Sequence, residues 1–235
     1  MGAVSRETTG GGAPEPPPAA VEYFGARLPA AERYVALLAG PGTERGLLGP
    51  REVPRLWDRH LLNCAVIQEA MPHGATVVDV GSGSGLPGVV LAVVRPDLAI
   101  TLVEPLLRRS VFLSEVVAEL RLPNVQVVRC RAEELHGKVV ADVVTARAVA
   151  PLDRLARWTL PLLRSGGLLV ALKGSTVRDE LAETADSLRA LGAVSWRVIE
   201  YGAGVVDPPS LAVVVGVGDQ PRRRRDDGLS TRRRR

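Results

Sequence analysis

Residues 76–94 read TVVDVGSGSGLPGVVLAVV. The β-branched, mostly apolar run Thr76 to Val80 predicts a strand buried on both faces, as strands of a parallel sheet are. Gly81, Gly83 and Gly85 then predict a turn whose backbone amides come close to a ligand. Pro87 and Gly88 open a helix, because proline loses nothing in a first helical turn, where its missing N–H would be unpaired anyway. Strand, glycine turn and helix in this order make a binding edge of nucleotide size.

Two ligand classes compete for that edge. Gly83-Ser-Gly85-Leu-Pro-Gly88 satisfies the dinucleotide pattern G-x-G-x-x-G, and Glu104 lies downstream where a ribose contact is expected. The longer pattern Asp79-Val-Gly81-Ser-Gly83-Ser-Gly85 also has an acid at the strand end. A carboxylate there repels a pyrophosphate, but it accepts hydrogen bonds, directly or through water, from the amino group of a methionine moiety. S-adenosylmethionine is therefore favoured over NAD.

The 235 residues suffice for one α/β core with modest extensions. Hydrophobic residues make up 46%, enough for a real core, whereas aromatics supply only 3%, so stacking platforms for bases are scarce. The net charge of +4 is misleading, because the last eighteen residues hold eight arginines against three aspartates, a net of +5 that leaves the rest at −1. The two cysteines, Cys64 and Cys130, form no CxxC or His/Cys metal spacing, and read as isolated thiols in a reducing compartment. No secretory h-region or run of transmembrane length occurs. The expectation is a soluble, cytoplasmic protein with no metal and no membrane partner, and with no dimer signature it is read as a monomer.

Residues 1–20, rich in Gly, Ala, Pro and Glu, are expected to be disordered, and so is the tail from 218 to 235. The tail's arginine clusters suit a non-specific RNA tether, which gains affinity by releasing counterions. Between them, residues 21–217 read as one domain. Helices over 29–39 and from about 54 to 70 form a small preface. Strands and helices then alternate: strands over 100–103, 125–128, 142–146 and 168–172, with helices over 108–120, 152–163 and 177–191. A final antiparallel pair covers 195–200 and 211–216. The predicted fold class is α/β, a doubly wound, Rossmann-like sheet of the class I S-adenosylmethionine-dependent methyltransferase type, with an antiparallel C-terminal strand pair and an N-terminal helical preface.

Ligands of such sheets sit beyond the carboxyl ends of the strands. Asp79, Glu104, Arg131 with Glu133, Arg147 and Lys173 all collect there. Glu104 is placed to accept both ribose hydroxyls. Ala132-Glu133 is placed to offer a backbone N–H to an adenine ring and a carboxylate to its exocyclic amine. His60 reads as a surface or substrate-side residue, while Cys64 and Trp57 read as core.

The motifs VVDVGSGSGLPGVVLAVVRPD, LVEPLLRRSVFL, RAEE, TARAVAPLDRL and ALKG, in that order and spacing, with LWDRHLLN upstream, resemble the RsmG (GidB) family of bacterial 16S ribosomal RNA guanine-N7 methyltransferases. The likeness covers roughly residues 45 to 217. It implies S-adenosyl-L-methionine as cofactor and 16S RNA or the small ribosomal subunit as partner. It puts Gly81, Leu86, Ala132, Glu133 and Arg147 on cofactor-binding positions. Ala146 stands where the family usually has serine before the arginine, and Asn63 where an acid is common.

The implied chemistry asks for little acid/base apparatus. Guanine N7 carries an in-plane lone pair and a sulfonium methyl is already activated, so in-line displacement needs no general base. Orientation and electrostatic fit carry the catalysis. In this reading Asp79, Gly81, Gly83, Gly85 and Glu104 hold the cofactor, while Arg147, Lys173 and His60 position the substrate. The alternatives are a methyltransferase for another RNA or a small molecule, a non-catalytic ribosome-assembly module that keeps the cofactor, and an NAD-dependent oxidoreductase.

Overall fold

The strand Thr76–Val80 (β1) forms as its residue types require and pairs on both sides, in parallel with β2 (Ala99–Val103) and β4 (Ala141–Arg147). β3 (Val125–Val128) extends the β2 side; β5 (Leu163–Leu172), β6 (Ala193–Tyr201) and β7 (Ser210–Val217) extend the β4 side. The order is β3-β2-β1-β4-β5-β7-β6. After β1 the chain builds outward through β2 and β3, then crosses back to β4. The strand order therefore reverses beside β1, where doubly wound sheets open a crevice. These elements come from a computed structural model that describes residues 12–218. Expectations for residues 1–11 and for the arginine clusters beyond 218 lie outside the described residues.

The C-terminal pair is antiparallel as expected, but β7 is inserted between β5 and β6 and runs against both, leaving β6 as the edge. That edge strand carries exposed charged residues, Arg197 and Glu200, which discourage further strand addition. β5 starts at Leu163, five residues before its expected start, and a register shift against β4 between Ala141 and Val143 absorbs the Gly166-Gly167 step.

Two cores result, one on each face. Val77, Ile100, Leu102 and Val143 face the preface, α4 (Gly88–Val94) and α5 (Leu107–Glu119). Val78, Val80, Val144 and Leu169 face α6 (Leu152–Thr159) and α7 (Val177–Ala190). The alternation along β1 therefore puts Asp79 on the Val77 side, under α4.

The preface comprises α1 (Pro18–Phe24), α2 (Leu28–Leu37) and a mixed helical stretch over 56–70 whose single α-turn, α3 (Asn63–Ala65), lies between a π-helical and a 3₁₀ segment. The disordered boundary expected near residue 20 is corrected, since α1 begins at Pro18 and Ala20 is buried. Composition missed two local facts: Pro17 and Pro18 suit a helix entry, and the Pro14 carbonyl accepts the Trp57 indole N–H at 2.8 Å. Trp57 is core, as expected, with its ring edge-on to Phe24 at 6.0 Å. Ser210 Oγ bonds the Asn63 backbone carbonyl at 3.1 Å and also the Asn63 side chain, so Asn63 ties the preface to β7. No described helix is long and apolar enough to cross a membrane.

Gly88 shows how closely α4 rides on the sheet. A Cβ there would stand 2.3 Å from Leu102 Cδ2 and 2.7 Å from Asp79 Oδ2. Its role is close helix–sheet packing. Gly88→Ala is expected to cost about 1–3 kcal/mol of unfolding free energy by overpacking, measurable by urea denaturation.

Candidate functional site

The carboxyl ends of β1, β2 and β4, with the segment after β3, surround a cavity of about 540 Å³. Its floor is the glycine turn. Gly81 has φ +69°, and a Cβ there would come within 2.9 Å of the Val149 methyls, so glycine is required on both counts. Gly81 and Ser82 donate to the Val103 carbonyl at 2.8 and 3.1 Å, which bends the turn toward β2.

Glu104 holds the turn open. One carboxylate oxygen accepts from Gly83 N–H and the other from Leu106 N–H, each at 3.0 Å, with Arg109 Nη1 at 3.7 Å. Each carboxylate oxygen can accept twice. Capacity therefore remains on the cavity side for a pair of hydroxyls. Ala132 and Glu133 form the opposite wall, positioned by a short 3₁₀ turn in which Glu134 accepts from Arg131 N–H at 2.8 Å. The two adjacent glutamates are thus separated by geometry: Glu134 caps, and Glu133 faces the cavity.

Arg147, the last residue of β4, closes a third side. Its guanidinium reaches across to the preface, donating to His60 Nδ1 at 2.8 Å, to the Arg59 carbonyl at 3.2 Å and to Cys64 Sγ at 3.2 Å. His60 is itself buried, lines the cavity and meets Glu52 Oε2 through Nε2 at 2.9 Å. Burial and the Arg147 charge hold its pKa below the ordinary imidazole value. Ala148, next after Arg147, sits at φ +52°, an uncommon conformation for a residue with a Cβ, and turns the chain so that Val149 covers Gly81.

Gly81, Gly83, Leu86, Glu104, Ala132, Glu133, Arg147 and His60 all line this one cavity, as the sequence reading grouped them. Three other candidates do not. Asp79 is fully buried on the α4 face of β1, where it accepts from Gly88 N–H at 3.2 Å and the Thr145 hydroxyl at 3.1 Å. It has no route to a methionine amino group; it fastens the turn from below. Gly85 is covered by Val89 and by Tyr34, whose hydroxyl donates to the Ser84 carbonyl at 2.8 Å. Lys173 turns away from the cavity, donating to the Ala150 carbonyl at 2.8 Å and to Glu180 at 3.0 Å. It holds the chain that follows Arg147 against α7.

Sequence reasoning missed Leu47, Leu48, Arg109 and Trp158 on the cavity wall. Arg109 had a signal, lying in the first turn of the helix that follows a strand-end acid. The others reach the cavity only through tertiary packing. Among the described residues no group of three or more His, Cys, Asp or Glu side chains is placed to hold a metal ion.

The model of the GidB family, described as rRNA small subunit methyltransferase G, matches residues 27–205. The chain belongs to this family. It is 60% identical over 209 residues to the ribosomal RNA small subunit methyltransferase G of Streptomyces avermitilis, covering 88% of each chain. Among solved structures, a SAM-dependent O-methyltransferase from Thermotoga maritima superposes with a TM-score of 0.55 at 16% identity, over 68% of this chain and 66% of that one. M. jannaschii TYW2 in complex with AdoMet superposes at 0.53 with 17% identity, over 67% and 73%. These structural likenesses show a shared methyltransferase fold. S-adenosyl-L-methionine is the cofactor of this GidB-family chain, and the cavity fits it: acceptor capacity left on Glu104, a glycine turn without side chains along the floor, and Ala132-Glu133 facing it across a space of suitable size.

Two measurements test this construction. Glu104→Ala removes an ionised acceptor from two backbone donors, bonds worth about 1.5–3 kcal/mol each, and should weaken cofactor binding at least about tenfold by calorimetry. For Asp79, burial is the main cause of a pKa raised from 3.8 to about 6. Between those values the folded chain keeps a proton that the unfolded chain has lost, so this residue's contribution grows as pH falls through 6 and the charged form subtracts stability above it. Asp79→Asn should therefore gain on the wild type as pH rises from about 4 to 7, in paired denaturation curves.

Proposed function

We propose that this GidB-family methyltransferase transfers a methyl group from S-adenosylmethionine to N7 of a guanine in 16S ribosomal RNA, taken as RNA or within the small subunit. The carrying observation is the placing of Arg147 and His60 together on one side of the cavity, in a chain that is 60% identical over 209 residues to a relative named for small-subunit ribosomal RNA methylation. Such work belongs in the cytoplasm, and the proposed acting unit is the single chain.

The cofactor supplies a methyl already activated on a sulfonium, and N7 supplies a lone pair with no proton to remove. The protein's task is then alignment and charge. Glu104 would hold the cofactor's ribose end above the glycine turn, and Ala132-Glu133 would hold its adenine. Arg147 stands where the two reactants meet. As a fixed donor held by three acceptors, it constrains the approach of the guanine edge at no reorganisation cost during transfer. Positive charge passes from sulfur to the purine along the reaction, so no group needs to accept a proton. Lys173 supports this geometry through the Ala150 carbonyl, not by touching substrate.

Tritiated methyl transfer to 30S subunits and to protein-free 16S RNA, followed by nucleoside analysis, tests the reading. 7-Methylguanosine is the expected product, and label in any other nucleoside would overturn it. Arg147→Ala should lower kcat/KM about 10²-fold through lost alignment, with the fold intact. Lys173→Met should act more weakly, through the 148–152 segment.

A further inference from the structure

The contact between Arg147 and His60 fixes more than distance. A guanidinium has only donors, so at 2.8 Å the Nδ1 atom of His60 must be the acceptor and carry no proton. In the neutral ring the single proton then lies on Nε2, which faces Glu52 Oε2 at 2.9 Å. A carboxylate is an acceptor only, so it selects this tautomer. The imidazole is nearly fully buried, whereas Glu52 is half-buried and outside the cavity wall. Three residues from three elements therefore form a directed chain: Glu52 from the turn Pro50–Arg55, His60 from the π-helical segment Leu56–Leu62, and Arg147 from the end of β4.

We propose that Glu52 is a positioning residue for methyl transfer: by accepting the Nε2 proton of His60 it holds the imidazole in the tautomer whose Nδ1 lone pair fixes Arg147 at the cavity wall. The proposal rests on the role given to Arg147 above. The alternative tautomer would aim an N–H at the guanidinium, and so would the imidazolium, so either form breaks the contact. The charged groups acting on the ring are Arg147 and Arg59, which disfavour its protonation, and Glu52, which favours it; Arg55 and Arg59 in turn lie 3.8 and 4.0 Å from Glu52. Cys64, on the far side of Arg147, is buried with its thiol pKa pushed up, so it stays neutral. Methyl transfer should consequently fall on the acid side as His60 takes up a proton.

The test uses the full chain labelled with ¹⁵N-histidine, which holds only three histidines, His60, His73 and His136. Ring nitrogen shifts identify the tautomer, and His60→Gln assigns the signal. The expected wild-type state at pH 7.5 is a neutral ring protonated on Nε2. Glu52→Gln retains an acceptor without the charge. It should keep the tautomer and near-normal transfer at pH 8, while moving the acid limb of the pH–rate profile to lower pH. Glu52→Ala should mix the tautomers and lower kcat/KM about tenfold at pH 8, equivalent to one ordinary hydrogen bond, with an unchanged melting profile. A wild-type ring protonated on Nδ1, or a Glu52→Ala protein with unaltered tautomer and transfer, would overturn the proposal. An Arg147→Ala protein with full transfer would overturn the reading beneath it. The two failures differ, because in the latter case Glu52→Ala would still mix the tautomers while transfer stayed constant.

Discussion

A carboxylate with no access to water underlies this architecture. Asp79 joins three elements at one point: its own strand β1, the neighbouring β4 through Thr145, and α4 through Gly88 N–H. Burying an ionisable group is unfavourable unless its acceptor capacity is used, and the cost appears in its raised pKa. In return the glycine turn is held from beneath, and α4 is drawn so close to the sheet that only glycine fits at position 88. The turn that floors the cavity has a fixed position because the atoms below it do.

The preface is mechanically part of the site. Tyr34, fully buried, donates to the Ser84 carbonyl at the centre of the glycine turn. The Arg147 guanidinium is held by residues 59, 60 and 64, all from the same helical stretch. Anything that shifts that stretch shifts both the floor and the wall of the cavity. His60 and Cys64, four positions apart and so on one helical face, converge with the Arg59 carbonyl on one guanidinium.

Much of this was legible in the residues. β1 and β3 occupy the expected positions, and the rule that ligands gather at strand ends located the cavity. The errors have physical causes. Asp79 was assigned to the cofactor from its place at a strand end, although period-two alternation already put it on the Val77 face and hence under a helix. Lys173 also follows a strand end, but its direction is decided by Glu180 in α7 and by a carbonyl 23 residues earlier, neither of which local pattern reveals. The same holds for Leu47, Leu48 and Trp158, which reach the cavity by packing alone. The insertion of β7 between β5 and β6 was equally closed to a linear reading, because an antiparallel pair does not announce which member borders the parallel sheet.

The bond between Thr145 and Asp79 spans 66 positions of the chain. A ribosome releases the N-terminal partner first, so β1, β2, β3 and their helices emerge while the buried carboxylate still lacks its hydroxyl donor and Arg147 has not been made. Contacts this distant in sequence close slowly, since the intervening loop must lose its freedom before any bond forms. Nascent chains shorter than about 147 residues therefore lack one side of the crevice, which is completed only when β4 joins β1.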